Sequence, residues 1–319
     1  MLVKPPTADA ATLSAVVPVY RSAATLPRLY QRLAGVLAQR GPAFEIILVE
    51  DCGGDDSWRV IEELSRLDPR VKGIRLSRNY GQHNALLCGI RAARHELVVT
   101  IDDDLQNPPE EIPRLLAELD RGFDVVYGAP EHERHGFLRG RASAITKLAL
   151  RHAMGATTAR HVSAFRVFRT YLREVFEAYR SPLVSIDVLL TWGTTRFTHV
   201  VVGHDARAAG ESNYTLRKLV IHALNMVTGF TTLPLRLASV LGFVFSLFGL
   251  GVLGYVVLGY LLRGGSIPGF PFLASVIAIF SGVQLFALGI IGEYLARVHL
   301  RSMDRPPYLV RDMIDVSEA

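Results

Sequence analysis

The sequence predicts an α/β fold: a doubly wound, mainly parallel sheet, followed by an amphipathic helix at a membrane interface and a two-helix transmembrane hairpin. Three observations predict it. Short apolar runs alternate with helix-patterned segments through residues 13–128, as βαβ units require. A helix-spaced apolar stripe with basic residues on its other faces runs through 215–230. Two uncharged stretches, 237–262 and 264–292, each exceed the roughly 20 apolar residues that cross a bilayer.

Residues 1–12 read as a polar, proline-containing tail with no signal-peptide core, so the domain behind it is expected in the cytoplasm. AVVPVY (15–20) predicts a buried strand and Thr25 to Gln39 a helix. EIILVED (45–51) predicts a second strand, and DDSWRVIEELSRL a helix with acids in its first turn, where the helix dipole favours them. VKGIRLS (71–77), a helix from Asn84 to Arg94, ELVVTIDDD (96–104), a helix from Pro109 to Arg121 and DVVYG (124–128) continue the alternation. Between 130 and 180 the sequence turns basic and helical, and LVSIDVLL (183–190) and FTHVVVGHD (197–205) read as later strands. The sheet domain is thus expected over 13–214.

In TLRKLVIHALNMVTGF (215–230), Leu216, Leu219, Val220, Ala223, Val227 and Phe230 share a helical face, with Arg217, Lys218 and His222 elsewhere. This predicts an interfacial helix over 215–232. The hairpin is expected over 233–297, with spans at about 235–262 and 270–294. Arg217, Lys218 and Arg236 precede it, Arg297, Arg301, Arg305 and Arg311 follow it, and the loop holds only Arg263. Positive flanks stay inside, so both ends and the 298–319 tail are expected in the cytoplasm.

Half of the 319 residues are hydrophobic and the net charge is +5, a balance that suits an anionic membrane surface better than nucleic acid. Two cysteines, Cys52 and Cys88, exclude a disulfide scaffold and a zinc spacing. The oligomeric state, a homo-oligomer included, is left open.

Ligands of such sheets bind at the carboxyl ends of the strands. Asp51 and Asp102-Asp103-Asp104 stand where apolar runs end. Side chains alternate along a strand, so Asp102 and Asp104 would share a target. Two such carboxylates call for a hard cation, with Gln106 as a third oxygen. A solvated acidic loop ahead of a helix fits the same residues. Asp51 is placed to accept hydrogen bonds from a base or ribose, or to cap the next helix. In RAAGESNY, Arg207 offers a bidentate grip on phosphate beside Gly210 and Ser212. A plain surface loop fits that segment equally.

AVVPVY, ILVED, LSRNYGQHNALLCGI, TIDDDLQNPPEEI and RAAGESNY occur in an order and spacing that resembles family 2 glycosyltransferases of the polyprenyl-phosphate type. These include dolichol-phosphate mannose synthases, bactoprenol glucosyltransferases and aminoarabinose transferases. The resemblance spans nearly the whole chain. It implies a GT-A fold, a nucleotide-sugar donor (a UDP-hexose first), Mg²⁺ or Mn²⁺, a polyprenyl-phosphate acceptor and inversion at the sugar. It implies a multi-pass protein of the inner membrane, with its catalytic domain in the cytoplasm.

On this sequence, the resemblance implies that Pro18, Tyr20, Asp51, Asp102 and Asp103 bind the nucleotide sugar. Asp102, Asp104 and Gln106 would hold the metal. Asp104 and Arg207 would be catalytic, and Arg134, Arg139, Lys147, His161, Arg207 and Ser212 would engage phosphate and acceptor. The chain departs from the pattern twice. Pro130 stands where many relatives carry Arg, with Arg134 further on, and His161 replaces an Asp ahead of the Phe165-Arg166 pair.

Three rival readings stay open. A processive polysaccharide synthase of the same fold needs a Q-x-x-R-W motif, which no glutamine here begins. A dinucleotide oxidoreductase needs a glycine-rich turn after the first strand, where PVYRSAATL has none. A non-catalytic membrane scaffold or lipid-carrier partner accounts for the two departures but not for the intact Asp102, Asp104 and Gln106.

Overall fold

A computed structural model of the chain describes residues 11–41, 43–130, 161–177, 179–205, 232–263 and 269–315. The chain forms two compact units, one of residues 1–219 with 304–319 and one of residues 220–303.

The first unit is built on an eight-stranded sheet of order β7-β5-β6-β4-β1-β2-β3-β8. Strands β1 (Leu13–Val19), β2 (Phe44–Glu50), β3 (Val71–Leu76) and β4 (Leu97–Thr100) pair in parallel in the order β3-β2-β1-β4. Every residue of β1, β2 and β4 is buried, as expected for parallel strands covered on both faces. Helices α1 (Leu26–Ala38), α2 (Ser57–Leu67), α3 (Gln82–Ala92) and α4 (Ile112–Leu119) connect or flank them. Helix α4 buries Ile112, Leu115, Leu116 and Leu119, an i, i+3, i+4, i+7 stripe. Gly89 lets α3 lie close on the sheet, since a Cβ there would meet Val16 Cγ1 at 2.4 Å.

Beyond β4 the sheet becomes mixed. β5 (Val125–Pro130) pairs in parallel with β7 (Phe197–Val202). Between β5 and β4 lies β6 (Arg166–Arg169), antiparallel to both. Helix α5 (Arg173–Glu177) follows β6. Residues 186–193 form helix α6 (Ile186–Gly193) where the sequence predicted a strand over 183–190. A continuous apolar run carries no period that separates a buried strand from a buried helix. Ile186, Val188, Leu189 and Leu190 are all buried, and Asp187 stands in the favourable first turn. Strand β4 also stops earlier than predicted, at Thr100, so the three aspartates lie in a turn.

At the other edge, β8 (Val310–Ile314) pairs antiparallel with β3. The sequence pattern showed only a tail there.

The second unit contains α7 (Leu233–Arg263) and α8 (Phe270–Ser302). Their most apolar windows have mean hydropathies of 2.3 and 1.6, and none of either window is buried. Helices this long and apolar that expose Phe243, Leu247, Leu285 and Leu295 are not the core helices of a soluble domain; they are suited to a lipid surround. The interfacial helix expected over 215–232 falls, but for Thr232, outside the described residues.

Candidate active site

The strand order reverses at β1, whose neighbours β2 and β4 lead away in opposite directions. That is where an open α/β sheet leaves a crevice at the carboxyl ends of its strands. Three non-glycine residues with positive φ lie just past those ends: Arg21 (57°) after β1, Cys52 (51°) after β2 and Leu105 (62°) after β4. Such conformations are uncommon and are held by their surroundings.

The carboxylate turn follows β4. Ile101 N donates to Val16 O at 3.2 Å, the last sheet-like bond. Asp102 then accepts from Gln82 Nε2, at the start of α3, at 2.6 Å. Asp103 turns toward β1: it accepts from Tyr20 N at 2.9 Å and from the Ser22 hydroxyl, while its own carbonyl accepts from Thr25 Oγ1 at 2.8 Å. Asp104 Oδ1 accepts from Gln106 N at 3.1 Å. The alternation argument from a strand therefore does not apply. The turn itself sends Asp103 to the β1–α1 loop, where its carboxylate is engaged by protein donors.

Burial, followed by the charges of Asp104 and Asp103, pushes the Asp102 acid up to about 7; Arg166 and Gln82 pull the other way. Burial also raises Asp103, against its bonds to Ser22 and Tyr20. Among the described residues no three His, Cys, Asp or Glu side chains converge into a complete cage. The turn nevertheless concentrates oxygen donors and excess negative charge. That donor set fits a hard cation that completes its coordination with water or phosphate oxygens.

Asp51, 3% exposed, is a positioning group in this structure. Its two oxygens accept Tyr80 N at 2.7 Å and Gly81 N at 2.8 Å, so it orders the segment entering α3. Burial raises its pKa against those two bonds. Tyr20 is 41% exposed at the end of β1, whereas Pro18 is buried within the strand.

Behind the turn, β6 contributes Arg166, 1% exposed and opposite Thr100 in register. Its guanidinium pairs with Asp187 at the start of α6, and its Nε donates to Thr100 Oγ1 at 3.1 Å. Tyr127 OH donates to the same Asp187 oxygen at 3.1 Å. Ser22, Gln82, Arg166 and Asp187 were not singled out from the sequence. Gln82 does lie inside a segment that carried the resemblance, LSRNYGQHNALLCGI, and Arg166 belongs to the Phe165-Arg166 pair beside the His161 departure.

His161 stacks on His199 of β7, with centroids 3.8 Å apart and planes 3° from parallel. Burial, then His161, lowers the His199 pKa, while Glu118 opposes them. Gln106 O accepts Asp205 N at 2.9 Å, which ties the residues just after β7 to the carboxylate turn. Arg134, Arg139, Lys147, Arg207 and Ser212 lie outside the described residues.

The model of the family described as "Glycosyl transferase family 2" matches residues 14–180. The chain belongs to this family. Undecaprenyl-phosphate 4-deoxy-4-formamido-L-arabinose transferase of Aeromonas hydrophila is 33% identical over 309 residues, covering 96% of this chain and 95% of the relative. The enzyme of that name from Shewanella sediminis is 33% identical over 310 residues, covering 96% and 93%. The resemblance read from the sequence, to the polyprenyl-phosphate type of family 2 glycosyltransferase, is thereby borne out. Among solved structures, glucosyl-3-phosphoglycerate synthase from Mycobacterium tuberculosis, in complex with Mn²⁺, UDP-glucose and phosphoglyceric acid, superposes with a TM-score of 0.51. It has 18% identity, and 68% of this chain and 78% of that one are covered. Mannosyl-3-phosphoglycerate synthase from Rubrobacter xylanophilus gives 0.50 at 19% identity, covering 67% and 72%. These superpositions bear out the GT-A-like sheet of this glycosyltransferase.

Proposed function

We propose that this glycosyltransferase moves one sugar, with inversion, from a nucleotide donor to polyprenyl phosphate at the cytoplasmic face of the inner membrane. One observation carries the reading. Identity to the undecaprenyl-phosphate transferases runs through 96% of the chain, and so takes in both the carboxylate turn and the two exposed apolar helices.

The chemistry of the site agrees with it. Asp102, Asp104 and Gln106 would hold Mg²⁺ or Mn²⁺, which supplies charge compensation for a departing diphosphate; the Mn²⁺ bound by the mycobacterial synthase makes Mn²⁺ the first ion to try. Asp51 and Gln82 order the segment 80–82 against the turn, which favours a donor diphosphate bound there. The acceptor is a phosphate monoester, with a second pKa near ~6. At cytoplasmic pH it is mostly a dianion and already a nucleophile. The protein has to position two anionic groups rather than supply a strong base, so His161 in place of Asp is compatible with turnover. Arg134, Arg139, Lys147, Arg207 and Ser212 are the groups we assign to acceptor and phosphate contacts.

The test incubates membranes carrying the protein with polyprenyl phosphate and a panel of radiolabelled donors. The panel holds UDP-glucose, UDP-N-acetylhexosamine, GDP-mannose and the UDP derivative of the formamido-arabinose named for the relatives. Label from one donor should enter the lipid extract and depend on divalent metal. No lipid label from any donor would refute the reading and leave the non-catalytic scaffold standing.

A further inference from the structure

The chain beyond α8 does more than cover a sheet edge. Residues 77–84 leave β3 and enter α3, and the middle of this segment faces the site. Tyr80 N and Gly81 N donate to Asp51, and Gln82 Nε2 donates to Asp102. Both ends of the same segment are held by the C-terminal strap. Ser77 N donates to Leu309 O at 2.9 Å. The buried Asn84, 6% exposed, donates through Nδ2 to Pro307 O at 2.7 Å and to Pro182 O at 3.3 Å. Between these two strap residues, Tyr308 lies under the Arg91 guanidinium, 5.6 Å from ring centroid to Cζ, and its hydroxyl accepts from Arg91 Nη1 at 3.4 Å. Pro307 and Leu309 therefore hold the two ends of the β3–α3 junction, while Tyr308 packs on the last turn of α3.

The far end of the strap is anchored separately. Along β8, Val310 stands opposite Leu76 and Ile314 opposite Gly73. Asp315 then pairs with the buried Lys72 at 2.9 Å and with Arg94 at 2.8 Å. Successive strand residues advance about 3.3 Å, so this anchor at Lys72 sits roughly 13 Å along β3 from Leu76 at its site end.

We propose that Pro307 and Leu309, with Tyr308 seating the strap on α3, are positioning residues of the donor site: Pro307 and Leu309 clamp both ends of 77–84 so that Tyr80, Gly81 and Gln82 meet Asp51 and Asp102. This rests on the donor reading given above. A strap that only protected an edge strand from pairing with other chains would need β8 but none of the contacts to Ser77, Asn84 and Arg91.

The two ends of the strap allow a contrast in the full-length protein. Deleting residues 304–319 risks unfolding the edge, so point variants carry the test. Asn84→Ala cuts the tie to Pro307, Tyr308→Ala removes the ring, and Asp315→Asn loosens the far anchor alone. Each is compared for melting temperature, for KM and kcat with the active nucleotide sugar, and for amide hydrogen exchange over 78–84. Asn84→Ala and Tyr308→Ala should raise the donor KM about five- to tenfold, the scale of one lost hydrogen bond, with kcat within about twofold and faster exchange at 78–84. Asp315→Asn should lower the melting temperature and leave KM unchanged. Unchanged KM and exchange in the first two variants would overturn the proposal. So would an equal rise in KM in all three, which would mark a general loss of stability. If the wild-type chain consumes no donor, the functional reading fails instead. The exchange of 78–84, and its protection by a nucleoside diphosphate with Mn²⁺, then still decide whether the strap clamps this segment.

Discussion

Replacing Arg166 by methionine should destabilise the sheet unit severely, and the structure indicates by how much. Arg166 is 1% exposed, pairs with Asp187 and bonds Thr100 Oγ1. Methionine roughly fills the space, so the loss is electrostatic rather than a cavity. Of its described side-chain partners, Asp187 would keep the Tyr127 hydroxyl, at 3.1 Å. Removing one member of a buried pair costs about 3–5 kcal/mol, because the other charge stays buried. For a unit of this size each kcal/mol lowers the melting temperature by roughly 2–4 °C, so a fall of about 6–20 °C is expected. Replacing both charges, Arg166→Met with Asp187→Leu, should recover much of the loss. Thermal unfolding in detergent, followed by far-UV circular dichroism, measures all three variants. A fall below about 3 °C for Arg166→Met, or a double variant whose loss equals the sum of the singles, would refute the coupling.

Asp104→Asn should cut sugar transfer at least ~100-fold without changing the melting temperature, as several kcal/mol of metal-assisted stabilisation is lost; normal turnover in the variant, or in EDTA, would rule out the metal assignment. Burial pushes the Cys88 thiol up to about 12, whereas Cys52 is partly exposed; N-ethylmaleimide at about pH 8 should therefore add once per native chain, and Cys52→Ser should abolish the addition. The folded pKa of His199 lies below its ordinary value of about 6.5, so between the two the unfolded chain binds more protons and stability falls as the pH drops through that window. His199→Asn, leaving His161 and Glu118 in place, should flatten the melting profile there, and an unchanged slope would reject it. A reporter fused after Ala319 should read cytoplasmic and one inserted near Gly265 external; the same side for both would mean that α7 and α8 do not form a spanning hairpin.

The alternation from β1 to β4 was legible because β1, β2 and β4 are short, largely apolar runs buried on both faces and helices such as α4 carry their own apolar stripe. Both patterns are local. The placement of Asp51 and the three aspartates at strand ends was legible for the same reason. The length and hydropathy of α7 and α8 are properties of composition, which no packing has to supply.

Tertiary structure decided the rest. β6 is four residues with arginine at both ends; nothing local marks it as a buried strand, and Arg166 is tolerated inside because Asp187 reaches it from α6. β8, with its exposed, charged sequence VRDMI, is a strand only because β3 offers an open edge. The run 183–190 is apolar enough for either secondary structure, and its surroundings made its second half a helix. In the carboxylate turn the sequence by itself determined that three acids stand together. Which way each points was set by Leu105 in a left-handed conformation and by donors from two other segments: Gln82 at the start of α3, and Tyr20 with Ser22 in the β1–α1 loop. Periodicity encodes the face of a regular element, whereas the direction of a turn residue depends on partners far away in the chain, brought near only once the sheet has formed.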